Sequence, residues 1–214
     1  MKGKTHAGIG ILAFITIYNK LPIKMELSGL AVVTLASLLP DIDHPKSIIN
    51  KYNRKGRHII TTRNKYILPF KNKMTKVTLY ACIGIIILWY SFLYNGEDYL
   101  KAIGILFILI SISSHRKGLT HSLTGLIIFS FLAGYIGNIY NVDNIIYYFM
   151  LGYGLHLICD MVTDRGIPLF YPFKEKNIKF PLTFKTNSKI GNTVEDIIAI
   201  VGLIYVVYRL PSIF

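Results

Sequence analysis

Cysteine is almost absent from this chain, with two thiols, Cys82 and Cys159, among 214 residues. That excludes a disulfide framework and a cysteine metal motif, and predicts small side chains packed inside apolar helices. Charge is scarce as well, at 16% of residues, and acidic charge is scarcest, with 11 Asp and Glu against 24 Lys and Arg. A chain that is 52% hydrophobic, with a mean hydropathy of +0.46, lacks the polar surface that a soluble domain of this length would carry. No internal repeat and no low-complexity segment interrupts it. No small-residue cleavage site follows the first apolar run, so a cleaved secretory signal is not expected there.

What the chain does have is a succession of apolar runs, at 7–18, 27–39, 77–94, 99–114, 122–137, 145–163 and 194–208. They predict an all-α polytopic membrane helix bundle of about seven apolar helices, a single domain over 1–214. The first two runs fall short of the roughly 17 residues usual for a full span. Trp89, Tyr90 and Tyr94 read as an interfacial belt at one end of the third. A basic loop at 46–76 and a second polar loop at 164–193 separate the runs; ten Lys or Arg lie between Pro45 and Lys76.

The chemistry concentrates in GYGLHLICDMVTDRGIP, residues 152–168. His156 and Asp160 lie four residues apart, stacked on one face of an apolar helix. Ionisable side chains at such depth are costly and mark functional sites by default. An imidazole and a carboxylate one turn apart suit one metal ion, although a buried His–Asp hydrogen bond would also stabilise a bundle.

Alternating the helices through a membrane brings the other candidates to the same side. His6 opens the first helix, and Asp41, Asp43 and His44 follow the second in PDIDHP. His115 ends the fourth, His121 precedes the fifth, His156 and Asp160 end the sixth, and Glu195 and Asp196 open the seventh. Five of six histidines thus gather at one face, and 20 of the 24 basic residues fall on that side. The positive-inside rule makes that face cytoplasmic, with the N-terminus there. The excess charge reads as topology and contact with anionic headgroups; no direct nucleic-acid partner is expected.

The ligand set expected is His6, Asp41, His44, His115, His121, His156 and Asp160. Histidine and carboxylate without thiolate suit Zn²⁺, Mn²⁺ or Fe²⁺, and this many ligands fit two or more ions bridged by Asp41 or Asp160. Such sites activate water and clamp the oxygens of a phosphoester. Arg116 and Lys117, between His115 and His121, are placed to neutralise a substrate phosphate. Glu195 fits either a ligand or a general base, and Asp43 either a tuning or a capping role; these two and Arg116 are the candidates for catalysis. Blander roles remain open: His6 and His44 as snorkelling helix-end residues, Thr120 as the cap of the fifth helix, Asp164 and Asp196 as solvated or capping groups, His58 as surface.

Four ordered motifs, THAGIG, LLPDIDHP, HRKGLTHS and HLICDMVTDRGIPLFYP, resemble the YdjM-like family of membrane-bound proteins assigned as metal-dependent hydrolases. The resemblance implies a multi-helix inner-membrane protein with a metal site used for hydrolysis. The family is also described as LexA-binding, which implies a regulatory protein partner. The motif positions carried over are His6, Asp41, Asp43, His44, His115, Arg116, His121, His156, Asp160 and Glu195, with Thr163, Gly166 and Pro168 in a structural turn. Asp164 and Arg165 depart from the pattern, so Asp164 is left out of the ligand set. A more distant similarity, in the His/Asp/Glu mix only, is to zinc-dependent phospholipase C. The expectation is a membrane-bound, metal-dependent hydrolase of a phosphoester, with zinc the first candidate and membrane lipid a candidate substrate. The rivals are a non-enzymatic metal-binding membrane protein and a membrane tether for a DNA-binding regulator.

Overall fold

The computed structural model describes residues 1–17, 26–41, 73–94, 96–115, 118–186 and 188–209, with side chains left out at 73–77 and 113–115. Asp43, His44, His58, Arg116 and Lys117 lie outside the described residues, as does the His115 side chain. Among the described residues the fold is all-helical: α1 (Gly3–Ile17), α2 (Leu27–Leu38) with a 3-10 turn (Leu39–Asp41), α3 (Lys73–Leu93), α4 (Asp98–His115), α5 (Leu123–Tyr140), α6 (Ile145–Met161) and α7 (Lys189–Arg209). Two of these, α5 and α7, are long and apolar enough to cross a membrane; α1, α2 and α6 are shorter apolar helices.

Several boundaries differ from the apolar runs because polar residues continue the helices. The first turn of α1 buries Thr5 and His6, so the helix starts at Gly3 rather than at the first apolar residue. The start of α7 moves back to Lys189, where the Ser188 hydroxyl accepts the Gly191 N–H at 2.9 Å and caps a first turn with no apolar periodicity. The cap of α5 is Ser122, whose hydroxyl accepts the Gly125 N–H at 3.1 Å, so Thr120 does not cap that helix. Of the two cysteines, Cys159 is buried but Cys82 is exposed, which corrects the expectation that both pack inside.

The described chain clusters into two compact units. In one, residues 41–119, α3 and α4 pair closely: a Cβ on Gly84 would lie 2.8 Å from the Gly104 carbonyl oxygen. Trp89, Tyr90 and Tyr94 are exposed there.

The other unit, 1–40 with 120–214, holds α1, α2, α5, α6 and α7. Its core is the junction of α1, α2 and α6, where Phe14, Val33 and Tyr148 are fully buried and the Phe14 and Tyr148 rings meet edge to face at 5.7 Å. Glycine makes the approach of α2 to α6 feasible, since a Cβ on Gly152 would collide with the Val33 carbonyl oxygen. The apolar residues of α7 mostly face outwards, among them Ile197, Ile200, Val201, Leu203, Ile204 and Val207, while His6, His156 and Glu195 are buried. Apolar outside and polar inside is the distribution a lipid environment favours.

Candidate metal centre

Helix α6 supplies the axis of the site. His156 and Asp160 project from the same face in its last two turns, and the helices around it bring their polar ends to that place. From α1 comes His6, its Nε2 3.2 Å from Asp160 Oδ1. The Met1 ammonium reaches the same oxygen at 2.9 Å. Oδ2 faces two more imidazoles, with His156 Nε2 at 3.4 Å and His121 Nε2 at 3.5 Å. Asp41 ends the 3-10 turn after α2, and one ligand atom each from Asp41, His121, His156 and Asp160 all lie within 4.8 Å of one another.

The hydrogen bonds around these groups fix what each nitrogen can do. His156 Nδ1 donates to the Ser37 carbonyl at 2.8 Å, since a carbonyl can only accept. In the neutral ring this leaves the Nε2 lone pair aimed inward, an arrangement characteristic of metal-ligating histidines. That Nε2 is buried and has no hydrogen bond; its polar neighbour is the carboxylate oxygen at 3.4 Å. A lone pair facing a carboxylate is repulsive unless a proton or a metal cation lies between them. His6 repeats the pattern, with both ring nitrogens buried and without hydrogen bonds, and its ring stacks on His156 at 4.0 Å and 24°. Stacked neutral imidazoles are tolerable, whereas two imidazolium ions at that spacing would repel.

The spacing fits a metal of the expected kind. With bonds of about 2.0–2.1 Å, neighbouring ligand atoms around tetrahedral zinc lie about 3.4 Å apart. The separations of 3.4 and 3.5 Å from His156 and His121 to Asp160 Oδ2 match that edge. His6 faces the other oxygen of Asp160, the one that also meets the Met1 ammonium.

His121 is held from behind. Its Nδ1 lies 3.1 Å from the Thr120 hydroxyl, and the Thr120 carbonyl accepts the Tyr153 phenol at 2.7 Å. Tyr153 is fully buried on α6, one turn before His156, so a single helix carries two ligand candidates and the group that pins the turn bearing a third. The sequence reading passed over Tyr153, Thr120 as a support, and the Ser37 carbonyl. Tyr153 on the same face as His156 and Asp160 was a readable signal; a backbone carbonyl leaves none.

Glu195 stands apart from this group. It is buried on α7 and accepts from the Thr5 hydroxyl at 3.1 Å and the Lys2 backbone N–H at 3.2 Å, with Lys2 Nζ at 3.5 Å. Lys2 Nζ also donates to Asn192 Oδ1 at 2.7 Å. Asp164 and Asp196 are exposed.

A family model described as YdjM inner membrane protein matches residues 1–212. No curated protein matches the chain, and no solved structure does.

Proposed function

We propose, from the premise that the chain belongs to the YdjM inner membrane protein family, that Asp41, His121, His156 and Asp160 hold a divalent metal ion and that the protein uses it to hydrolyse a phosphoester. The observation that carries the reading is the buried His156 Nε2, fixed by the Ser37 carbonyl with its lone pair towards Asp160. A divalent ion held there supplies Lewis acidity towards an ester oxygen and lowers the pKa of water to the neutral range.

The chain's own residues orient and exclude. The Ser37 carbonyl and Thr120 fix the rings of His156 and His121, and buried His6 and Tyr153 close the apolar side against bulk water. Asp160 and His121 remain partly exposed, at 14% and 17% of their side chains, which leaves an approach for a substrate. Arg116 and Lys117 are proposed to neutralise its phosphate. The apolar exterior favours a lipid headgroup as substrate over a freely soluble ester, with the site on the cytoplasmic side of a multi-pass bundle.

One observation favours the second reading, a metal-binding membrane protein without catalysis. Both oxygens of Glu195 are engaged by the first turns of α1, an arrangement for holding a helix in place rather than for moving a proton. An assay separates the two readings. Purified protein loaded with zinc, manganese or iron is given phosphatidic acid, phosphatidylglycerol and a chromogenic phosphodiester, beside Asp160→Asn. Turnover abolished by the substitution supports the hydrolase. Tight metal binding with no turnover on any of these supports the binding protein.

A further inference from the structure

The segment between α6 and α7 is built unlike an ordinary surface loop. Its backbone is tied down along its length. Ile167 and Ile178 exchange hydrogen bonds at 3.0 and 2.8 Å, and Ile167 is buried. Gly166, with φ +61°, permits that approach, since a Cβ there would meet the Ile178 carbonyl oxygen. The Phe180 and Phe184 N–H groups donate to the Met161 and Val162 carbonyls at 2.9 and 3.2 Å, directly after Asp160. The first half is fixed to α5, where the Leu123 N–H donates to the Leu169 carbonyl and the Thr124 hydroxyl to that of Tyr171.

On this tethered backbone large apolar side chains point out. Phe173 is 88% and Leu182 87% exposed, with Phe170 and Phe180 at 46% and 42%. Between them stand exposed Lys174, Lys176, Lys179 and Lys185, and with Arg165 the segment has five basic residues against Asp164 and Glu175. Water alone disfavours holding such side chains out, and a protein core does not accept lysine at this frequency. Aromatic and aliphatic tips interleaved with lysine fit the boundary of a bilayer, where rings sit at headgroup depth and ammonium groups meet lipid phosphate.

We propose that residues 164–186 form an interfacial docking surface for anionic phospholipid, with Phe173 and Leu182 entering the acyl boundary and the lysines on the headgroup phosphates. The surface continues directly from Met161, so the approach to Asp160 opens at headgroup level. This inference stands without the metal reading, because it uses none of the ligands.

The test places a fluorescent reporter at the tip. Trp89, the chain's single tryptophan, is replaced by Trp89→Phe, and Phe173→Trp or Leu182→Trp is introduced separately. Each protein is reconstituted at one copy and, separately, at two copies per nanodisc, in phosphatidylcholine alone or mixed with phosphatidylglycerol. The expected result is blue-shifted emission, quenching by acyl-brominated lipid and loss of iodide quenching, all more pronounced with phosphatidylglycerol. Charge reversal at Lys174, Lys176 and Lys179 to Glu is expected to return the reporter towards iodide. Emission and iodide quenching like those of free tryptophan, at both positions and in both lipids, would overturn the proposal. So would insertion indifferent to lipid charge and to the reversal. Protection without brominated-lipid quenching, seen only in discs carrying two copies, would assign the patch to a second copy of the chain instead.

Discussion

Asp160 and Glu195 sit in the same unit, and the first turn of α1 reaches both, yet their neighbours differ in kind. Around Glu195 every neighbour is a donor: the Lys2 N–H, the Lys2 ammonium and the Thr5 hydroxyl. Its charge is met by groups already in place, and the result is a clamp between α1 and α7. Around Asp160 stand the ammonium of Met1 and three imidazole Nε2 atoms, and the tautomer of one, His156, is set so that it presents a lone pair. There the buried His156 Nε2 is left without a hydrogen bond, the place where the proposed cation would bind. Buried polar groups near each other can therefore serve opposite ends, and the direction of the hydrogen bonds separates them where burial does not.

The comparison predicts a graded series in metal affinity. Asp160→Asn removes the oxygen charge shared by the three imidazoles and should weaken zinc binding by roughly a hundredfold or more, beyond the 10–100-fold typical of outer-shell changes. Isothermal titration in detergent or nanodiscs reads this directly. His156→Ala and His121→Ala should each follow closely. If His156 and His121 are ligands, protons compete with the metal for the imidazole nitrogens, so affinity should fall as the pH is lowered. A flat affinity between pH 7.5 and 5.5 would argue for carboxylates alone.

Tyr153→Phe tests the support behind His121. Losing the bond to the Thr120 carbonyl should lower metal affinity about tenfold while the metal-free protein melts within a few degrees of the wild type. A large loss of melting temperature with unchanged affinity would make Tyr153 a packing residue only. Smallest of all should be Glu195→Gln, expected to change metal affinity less than about threefold but to cost about 1–3 kcal/mol of stability as the bonds from Thr5 and Lys2 weaken. If Glu195→Gln instead removed the metal, the contrast between the two carboxylates would be lost.

Much of this was legible in the sequence. Apolar runs located every described helix, because lipid-facing and core-facing residues alike are apolar and the runs end where polar residues begin. The ends were less legible for the same reason. The first turn of α7 is polar and was read as loop, and α1 was read as opening only at His6, although Thr5 and Ser188 each have a partner that keeps the helix going. In the site, the four-residue spacing of His156 and Asp160 was sufficient, since helix geometry alone puts them together. The union with His6, Asp41 and His121 followed from counting helix directions. The contribution of Ser37 could not be read, because any residue offers the same carbonyl. Nor could the saturation of Glu195, because it depends on which donors α1 presents after packing.

The most direct measurement is the metal content of detergent-purified wild-type protein beside Asp160→Asn and Glu195→Gln, by inductively coupled plasma mass spectrometry after removal of loosely bound ions. The account predicts at least one equivalent of zinc, manganese or iron in the wild type and in Glu195→Gln, and almost none in Asp160→Asn. Equal metal in all three, or none in the wild type even after incubation with micromolar zinc, would contradict it.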